Sequence, residues 1–197
     1  MRKVLFILSE LADADVDWMV RNGTKRTVAP GTVLIREGQP TAVLFVLLDG
    51  QLEVTLAALG NRRIAVLSSG EILGELSFLD SRPPSASVTA VDRASVLSIP
   101  RASLHAKLSE DAAFAARFYR ALGVFLASRL RRSQSRLGYG EDVREEQAEP
   151  DDEIDPALLD GLTLAGARFN WMLKRLRAAP SEHGDGPRSG GTGDGLR

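Results

Sequence analysis

The regular recurrence of turns in residues 25–100 is the strongest constraint on how this chain folds. A glycine-containing turn signal occurs about every ten residues, the spacing expected of short antiparallel strands. These signals are Pro30-Gly31, Glu37-Gly38, Asp49-Gly50, Gly60-Asn61 and Ser69-Gly70. Between them lie runs rich in β-branched residues, at Val33–Ile35, Leu44–Leu48, Gln51–Thr55, Ile64–Leu67 and Val96–Ile99. Because no helical segment interrupts the series, we expect an antiparallel β-roll or barrel rather than a parallel sheet.

Helical patterns flank this region on both sides. Residues 1–24 carry apolar side chains at near-helical spacing, and Gly23 offers a C-terminal stop. A longer helical pattern runs from Ala102 to about Arg136, just after Pro100. Its apolar face must be buried, against the roll or against a second copy of the chain. That face comprises Phe114, Phe118, Ala121, Leu122, Phe125, Leu126 and Ser128. Several arginines lie at the C-terminal end of this helix, where they complement the helix dipole and aid solubility.

The last third of the chain divides into a linker, a helix and a tail. Residues 141–155 contain nine acidic residues and one arginine, a self-repelling run that indicates a solvated linker. Asp155 and Pro156 then supply an N-cap and first-turn pair for another helix. Its apolar stripe consists of Leu158, Leu162, Ala165, Phe169, Met172 and Leu176. We therefore divide the chain into a domain at residues 1–136, an acidic linker at 137–155, an amphipathic helix at 156–179 and a disordered tail at 180–197.

Composition excludes several classes of function. The chain has 197 residues and a formal net charge of −1, so charge gives no reason to expect nucleic acid or membrane as the main partner. It has no cysteine and two histidines, and no Ser-His-Asp set or metal-binding constellation is visible. We therefore expect no enzymatic activity, no metal and no cofactor. The apolar run Val4–Leu8 is too short for a secretory signal or a membrane span, which favours a cytoplasmic protein.

Residues 70–88 are the most informative stretch for function. Gly74 permits close approach of the backbone, and the amides of Glu75, Leu76 and Ser77 can then turn toward one anion. The Glu75 carboxylate can accept a hydrogen bond from a ribose hydroxyl. The next strand begins with further N–H and hydroxyl donors, at Ser85, Ala86 and Ser87. Together these groups predict a site for the sugar and phosphate of a nucleotide.

The same stretch resembles the phosphate-binding cassette of cyclic nucleotide-binding domains, a family that includes the catabolite activator protein and the regulatory subunit of protein kinase A. The surroundings agree, with a Pro-Gly turn before Thr32–Gly38, the run Leu44–Gly50 and the long helix that follows. The resemblance covers about residues 5–136. It implies a mainly β fold with helices, namely an antiparallel β-roll of jelly-roll type between an N-terminal helix and a long C-terminal helix. It also implies a non-catalytic receptor for a cyclic nucleotide second messenger.

One position departs from the family pattern. The family's cassette usually ends in an arginine, a serine or threonine, and an alanine, and that arginine pairs with the cyclic phosphate. Pro84 occupies the matching position here. Because a bidentate arginine–phosphate contact is among the stronger recognition elements, its loss should weaken binding of cyclic AMP. Arg82, two positions earlier, either reaches inward as a replacement or is a surface arginine in a turn.

Three hypotheses for the ligand follow from this departure. The pocket is degenerate and purely structural, it still binds cyclic AMP through backbone donors, or it has been rebuilt for a larger ligand with two phosphates. The chain also resembles a group of small stand-alone cyanobacterial proteins, some of which are cyclic-di-GMP receptors, and this resemblance favours cyclic-di-GMP. Such a ligand needs cations and stacking groups beyond the cassette. The candidates are Arg2, Lys3, Arg117, Tyr119 and Arg120.

The output of such a receptor is expected to pass through a partner protein. Transcription factors of this family continue into a winged helix-turn-helix, and a recognition helix needs a second helix beside it. The segment after residue 136 offers a single helix, so we expect no specific DNA binding by the chain itself and a partner such as a transcription factor. The helix at 156–179 is the natural contact, unless it folds back onto its own roll.

Overall fold

The computed structural model describes residues 5–138 and 156–178, with side chains described for residues 8–131 and 164–177. The helices are α1 (Leu5–Glu10), α2 (Asp13–Asn22), α3 (Glu75–Asp80), α4 (Arg101–Glu110), α5 (Ala112–Gly138) and α6 (Pro156–Ala178). The strands are β1 (Thr24–Val28), β2 (Val33–Ile35), β3 (Val43–Asp49), β4 (Leu52–Leu56), β5 (Arg62–Leu67), β6 (Ile72–Leu73), β7 (Ser87–Ala90) and β8 (Ala94–Pro100).

The strands form two four-stranded sheets in which every pairing is antiparallel. The strand order is β1-β8-β3-β6 in the first sheet and β2-β7-β4-β5 in the second. This arrangement confirms the expected antiparallel β-roll with flanking helices, although helical residues outnumber strand residues among those described.

Strand β3 shows how one run of apolar residues serves two cores. Successive side chains of a strand point to opposite faces of the sheet. Leu44 and Val46 therefore pack with the helices, whereas Phe45 and Leu47 pack between the two sheets. Both faces of β3 are buried, which explains why this strand is almost continuously apolar.

Glycine lies at each of the five turns that the sequence predicts. All five glycines have positive φ: Gly31, Gly38, Gly50, Gly60 and Gly70. At Gly50 the space is also restricted, because a Cβ would lie 2.7 Å from the Cα of Ala94. A larger residue there would meet both backbone strain and a clash. The turn pattern was therefore a reliable guide to where the strands end.

Each of the two helices that the sequence predicted around the strands is divided into two in the structure. The helix predicted for residues 1–24 is broken at Ala12, whose N–H donates to the Asp15 carboxylate at 2.7 Å. The long helix predicted from Ala102 is broken at Asp111, whose carboxylate accepts the N–H of Phe114 at 2.9 Å. This is an N-cap contact, and it starts α5 as a separate helix. Strands β1 and β6 were missed because one is largely polar and the other has two residues.

The apolar face of α5 is buried within the chain. Phe114, Phe118, Ala121 and Phe125 are all inaccessible to solvent or nearly so. Helix α5 packs against α1 and α4. Of the two partners expected for this face, the roll and a second copy, the face is buried by its own chain, mainly by the helices α1 and α4 in a core that also contains residues of the first sheet.

Helix α6 also packs on its own chain, against α1 and α2. Ala165, Met172 and Leu176 of the predicted stripe are buried. Leu158 and Leu162 lie outside the described side chains, and the predicted linker and tail lie outside the described residues. Of the helices in residues 5–138 and 156–178, none is long and apolar enough to cross a bilayer.

Candidate functional site

The turn before α3 brings the backbone of the cassette close to β3. Gly74 has a φ of 84°, and a Cβ there would lie 3.3 Å from the carbonyl oxygen of Val43. Both features favour glycine at this position. The chain enters α3 directly afterwards, and the N–H of Phe78 donates to the Gly74 carbonyl at 3.0 Å. The first-turn amides have no acceptor within the helix, as at any helix N-terminus, and their predicted role in binding an anion stays a prediction.

A cavity of about 460 Å³ lies between this turn, the second sheet and α5. Its lining is mostly apolar, with side chains from β2, β4, β5, β6, β7 and α5. The polar side chains among the described lining residues are Glu75, Ser77, Ser85 and Arg129. The mouth is also apolar, because Ile64, Leu76 and Leu130 line the cavity and are 39%, 51% and 60% exposed. Such a cavity suits an organic molecule with a few polar groups at one end.

An ion pair joins the two sides of the cavity. The Glu75 side chain is almost fully buried, and its Oε1 accepts a hydrogen bond from Nη1 of Arg129 on α5. Burial raises the pKa of the Glu75 carboxyl, and the Arg129 charge opposes that rise without cancelling it. The Arg129 guanidinium lies 5.1 Å from the ring centre of Phe125, one turn earlier on the same helix. The pair therefore connects the cassette to α5.

Arg101 anchors the cassette from the opposite end. Its Nη2 donates to the Ser77 carbonyl at 2.6 Å, and its Nη1 donates to the Thr41 carbonyl at 3.0 Å. The guanidinium also lies 5.6 Å from the ring centre of Phe78. Phe78 in turn stacks on His105 with ring centres 4.6 Å apart. Helix α3 is thereby fastened to α4 and to the segment just before β3, which restrains the direction of its first turn.

Comparison with known proteins identifies the segment that carries this site. Residues 25–111 match the sequence profile of the cyclic nucleotide-binding domain family. This segment belongs to that family. The regulatory subunit of cAMP-dependent protein kinase from Yarrowia lipolytica is a relative, 30% identical over 93 residues, which cover 47% of this chain and 24% of that protein. The chain spans between 7% and 26% of the length of the curated relatives it matches.

Solved cyclic nucleotide-binding domains share the fold. One from Methylobacillus flagellatus superposes with a TM-score of 0.63 at 23% identity, covering 72% of this chain and 85% of that one. The catabolite activator protein of Thermus thermophilus superposes with a TM-score of 0.54 at 22% identity, covering 85% of this chain and 84% of that one. These superpositions confirm the predicted fold, and the profile match confirms the family predicted from the cassette for residues 25–111.

The cyclic nucleotide-binding domain brings most of the predicted cassette residues together around the cavity. Those that line it are Gly74, Glu75, Leu76, Ser77, Ser85 and Ala86. Ser87 is not among the lining residues, and its Oγ accepts the N–H of Glu37 at 3.0 Å. Arg82 also lies outside the lining, and its side chain is 84% exposed. Its Nε lies 4.0 Å from Oδ2 of Asp80. The ligand-binding role of this set stays a prediction, and the position of Arg82 favours the surface alternative.

Of the candidates proposed outside the cassette, the three on α5 lie away from the cavity. Arg117 donates to the buried Asp15 carboxylate at 2.6 and 2.9 Å, and Arg120 pairs with Glu10 at 2.7 Å. Tyr119 is 46% exposed on the same helix and does not line the cavity. Arg2 and Lys3 lie outside the described residues. Arg117 and Arg120 therefore serve helix packing, because their partners belong to α2 and α1.

Sequence reasoning missed the residues that α5 contributes. Leu126, Arg129 and Leu130 line the cavity, yet Arg129 was explained by the dipole and solubility of the helix end. One signal could have identified it. Arg129 follows Phe125 by one helical turn and therefore lies on the face that packs inward.

Proposed function

We propose that this chain is a non-catalytic receptor that binds a cyclic nucleotide in the cavity between the cassette and α5. The observation that carries the proposal is the placement of the Glu75 carboxylate, which is buried in the cavity wall beside the first turn of α3. A ribose hydroxyl can donate to that carboxylate while the adjoining amides face the phosphate. The family match at residues 25–111 supports the same class of ligand.

The rest of the cavity suits the base of a nucleotide. Its walls are formed by apolar side chains, including Val54, Ile64 and Leu126. Burying a flat, weakly polar ring against such walls is favourable, and the Ser85 hydroxyl offers a hydrogen bond at the polar end. The nucleotide would thus lie with its sugar-phosphate at the cassette and its base toward α5 and β5.

Cyclic-di-GMP is the specific ligand that we propose. The cassette has Pro84 in place of the family's usual arginine, which weighs against tight binding of a simple cyclic monophosphate. The cavity volume of about 460 Å³ lies within the range of roughly 300–1,000 Å³ typical of small-molecule sites. Cyclic AMP is the second candidate, favoured by the 30% identity to a regulatory subunit of cAMP-dependent protein kinase.

Binding is proposed to act through α5. This helix supplies one wall of the cavity, so a ligand held between the cassette and α5 favours the arrangement that closes around it. It can do so only by binding that arrangement more tightly than the open one. The signal would then pass to a partner protein such as a transcription factor.

Isothermal titration calorimetry of the full chain against cyclic-di-GMP, cyclic AMP and cyclic GMP tests the proposal. We expect cyclic-di-GMP to bind with a dissociation constant of about 1 μM or tighter, and the two monophosphates to bind more weakly. Binding of cyclic AMP alone would overturn the choice of ligand and keep the class. Absence of binding by all three would overturn the receptor function and leave an interaction scaffold.

A further inference from the structure

Arg129 is the sole cation among the described residues that line the cavity. Its side chain is 30% exposed, whereas the side chain of its partner Glu75 is 5% exposed. The guanidinium therefore lies at the boundary between the buried carboxylate and the open part of the cavity. An arginine in this position can serve a second acceptor, because a guanidinium carries five N–H donors in a fixed fork.

Charge balance argues that an anionic ligand needs this arginine. Glu75 and Arg129 together make the described lining neutral, so a phosphate that entered without contacting Arg129 would meet the buried Glu75 carboxylate with no positive charge of its own to offset the repulsion. Like charges at short range repel strongly where water is excluded. Backbone amides and the hydroxyls of Ser77 and Ser85 carry partial charges only. Among the described lining residues, Arg129 therefore supplies the one full positive charge with which to hold a phosphate.

We propose that Arg129 is the phosphate-recognition residue of this cavity, an inference that rests on the cyclic nucleotide receptor function proposed above. On binding, the guanidinium is shared with, or passes to, a phosphate oxygen of the nucleotide. The Glu75 carboxylate is then available to accept a ribose hydroxyl. No covalent bond changes, and the exchange replaces one charge-assisted hydrogen bond with two.

The position of Arg129 on α5 gives this exchange a structural consequence. Phe125 packs beneath the guanidinium at 5.1 Å and limits how far it can turn. Because the guanidinium cannot turn freely, a phosphate that binds Arg129 draws the whole of α5 toward it and not the arginine side chain alone. Ligand charge, and not ligand shape alone, would then set the distance between the cassette and α5.

A double-mutant cycle of Glu75→Gln and Arg129→Gln separates phosphate binding from a positioning role. The measurement is the dissociation constant of each variant for the cyclic nucleotide that the wild-type chain binds, cyclic-di-GMP or cyclic AMP, by calorimetry. We expect Arg129→Gln to weaken binding by about 10- to 100-fold, as expected for a lost hydrogen bond to a charged group. We expect a similar factor when Glu75 is already glutamine, because the phosphate contact does not depend on the carboxylate.

Two further variants complete the test. Arg129→Lys keeps the charge without the fork, so we expect it to recover part of the affinity. Arg21→Gln removes an equal charge from a 66% exposed side chain of α2, and should leave the dissociation constant unchanged. Arg129→Gln alone leaves the Glu75 carboxylate buried without its partner and can fold poorly. In that case the dissociation constants of the double variant and of Glu75→Gln are compared, because both lack the carboxylate and differ only at Arg129.

The outcomes distinguish this inference from the proposed function. If the Arg129→Gln loss disappears in the Glu75→Gln background, Arg129 acts only by holding Glu75, and the inference is wrong while the receptor function stands. An Arg129→Gln variant that binds like wild type has the same meaning. If the wild-type chain binds no cyclic nucleotide, the proposed function fails and the inference fails with it.

Discussion

Two opposing effects act on the pKa of the Glu75 carboxyl. Removal from water disfavours its ionised form, and the neighbouring Arg129 favours that form. Desolvation is the larger effect, so the pKa of the carboxyl is raised above its ordinary 4.5 even though an arginine is in contact with it. The hydroxyl-binding role proposed for Glu75 needs an acceptor, and this pair supplies one at a cost in stability.

The raised pKa of Glu75 predicts how stability depends on pH. The unfolded chain releases this proton near pH 4.5 and the folded chain releases it at higher pH. The free energy of unfolding therefore falls as pH rises from about 4.5 through the folded pKa, and is level above it. Glu75→Gln should remove this fall, so the variant gains stability relative to wild type across that interval, by about 1.4 kcal/mol for each unit of pKa difference.

Urea denaturation of both proteins between about pH 4 and pH 8 measures the effect. Glu110→Gln, a change of an exposed glutamate at the end of α4, is the matched control and should keep the wild-type pH profile. A stability difference between wild type and Glu75→Gln that stays constant over the whole range would show that pairing with Arg129 balances burial.

Among the secondary-structure elements, α3 depends most on contacts with its neighbours. It has six residues, too few to be stable by itself. Arg101 donates to the Ser77 carbonyl at its centre, and Phe78 anchors its inner face. The direction of the cassette amides therefore depends on an arginine at the start of α4.

Substitution of Arg101 by Gln should loosen α3 more than the rest of the roll. The change removes two hydrogen bonds from a charged donor and the contact with the Phe78 ring, and should cost about 1–3 kcal/mol of stability. Amide hydrogen exchange shows where in the structure this loss of stability falls. Relative to wild type, we expect exchange to accelerate more at residues 75–80 than at β3. Arg93→Gln, in the exposed turn before β8, is the control. Equal acceleration in α3 and β3 would contradict a local anchoring role.

The sequence predicted the elements whose signals are local. The turns with glycine, the strands between them and the cassette could each be recognised from a few consecutive residues. The spacing from Phe125 could have placed Arg129 on the inward face of α5, but its pairing with Glu75 could not be recognised locally, because the two residues are 54 positions apart in the chain. The break at Asp111 was missed for a different reason. The apolar spacing continues across it, and the capping contact with Phe114 is what separates the two helices.

In the whole molecule, α1 joins the long helix to the terminal helix. It packs against α5 on one side and α6 on the other. Charged contacts reinforce both sides, with Arg120 of α5 on Glu10 and Arg168 of α6 on the last turn of α1. The sequence left open whether α6 covers its own chain, since an amphipathic stripe does not identify its partner. The carbonyl groups that receive Arg168 are backbone atoms, which no side-chain pattern reveals.

Arg168 should be the main polar contact that holds α6 in place. Its side chain is 15% exposed; its Nη1 donates to the Leu8 carbonyl at 2.9 Å and its Nε to the Asp13 carboxylate at 2.6 Å. These contacts satisfy a carbonyl at the C-terminal end of α1, where helices lack internal donors. Arg168→Gln should therefore lower the free energy of unfolding by about 1–3 kcal/mol in urea denaturation of the full chain.

Arg175→Gln is the matched control for that measurement. Arg175 lies two turns later on the same helix, is 48% exposed and contacts Asp17 at 3.4 Å. An exposed pair of this kind contributes at most about 1 kcal/mol, so this variant should stay close to wild type. Similar losses in the two variants would mean that α6 is held by its buried apolar stripe and general charge. A loss confined to Arg168→Gln would instead assign the docking of α6 to the end of α1, the helix that packs against α5 and so against one wall of the candidate cavity.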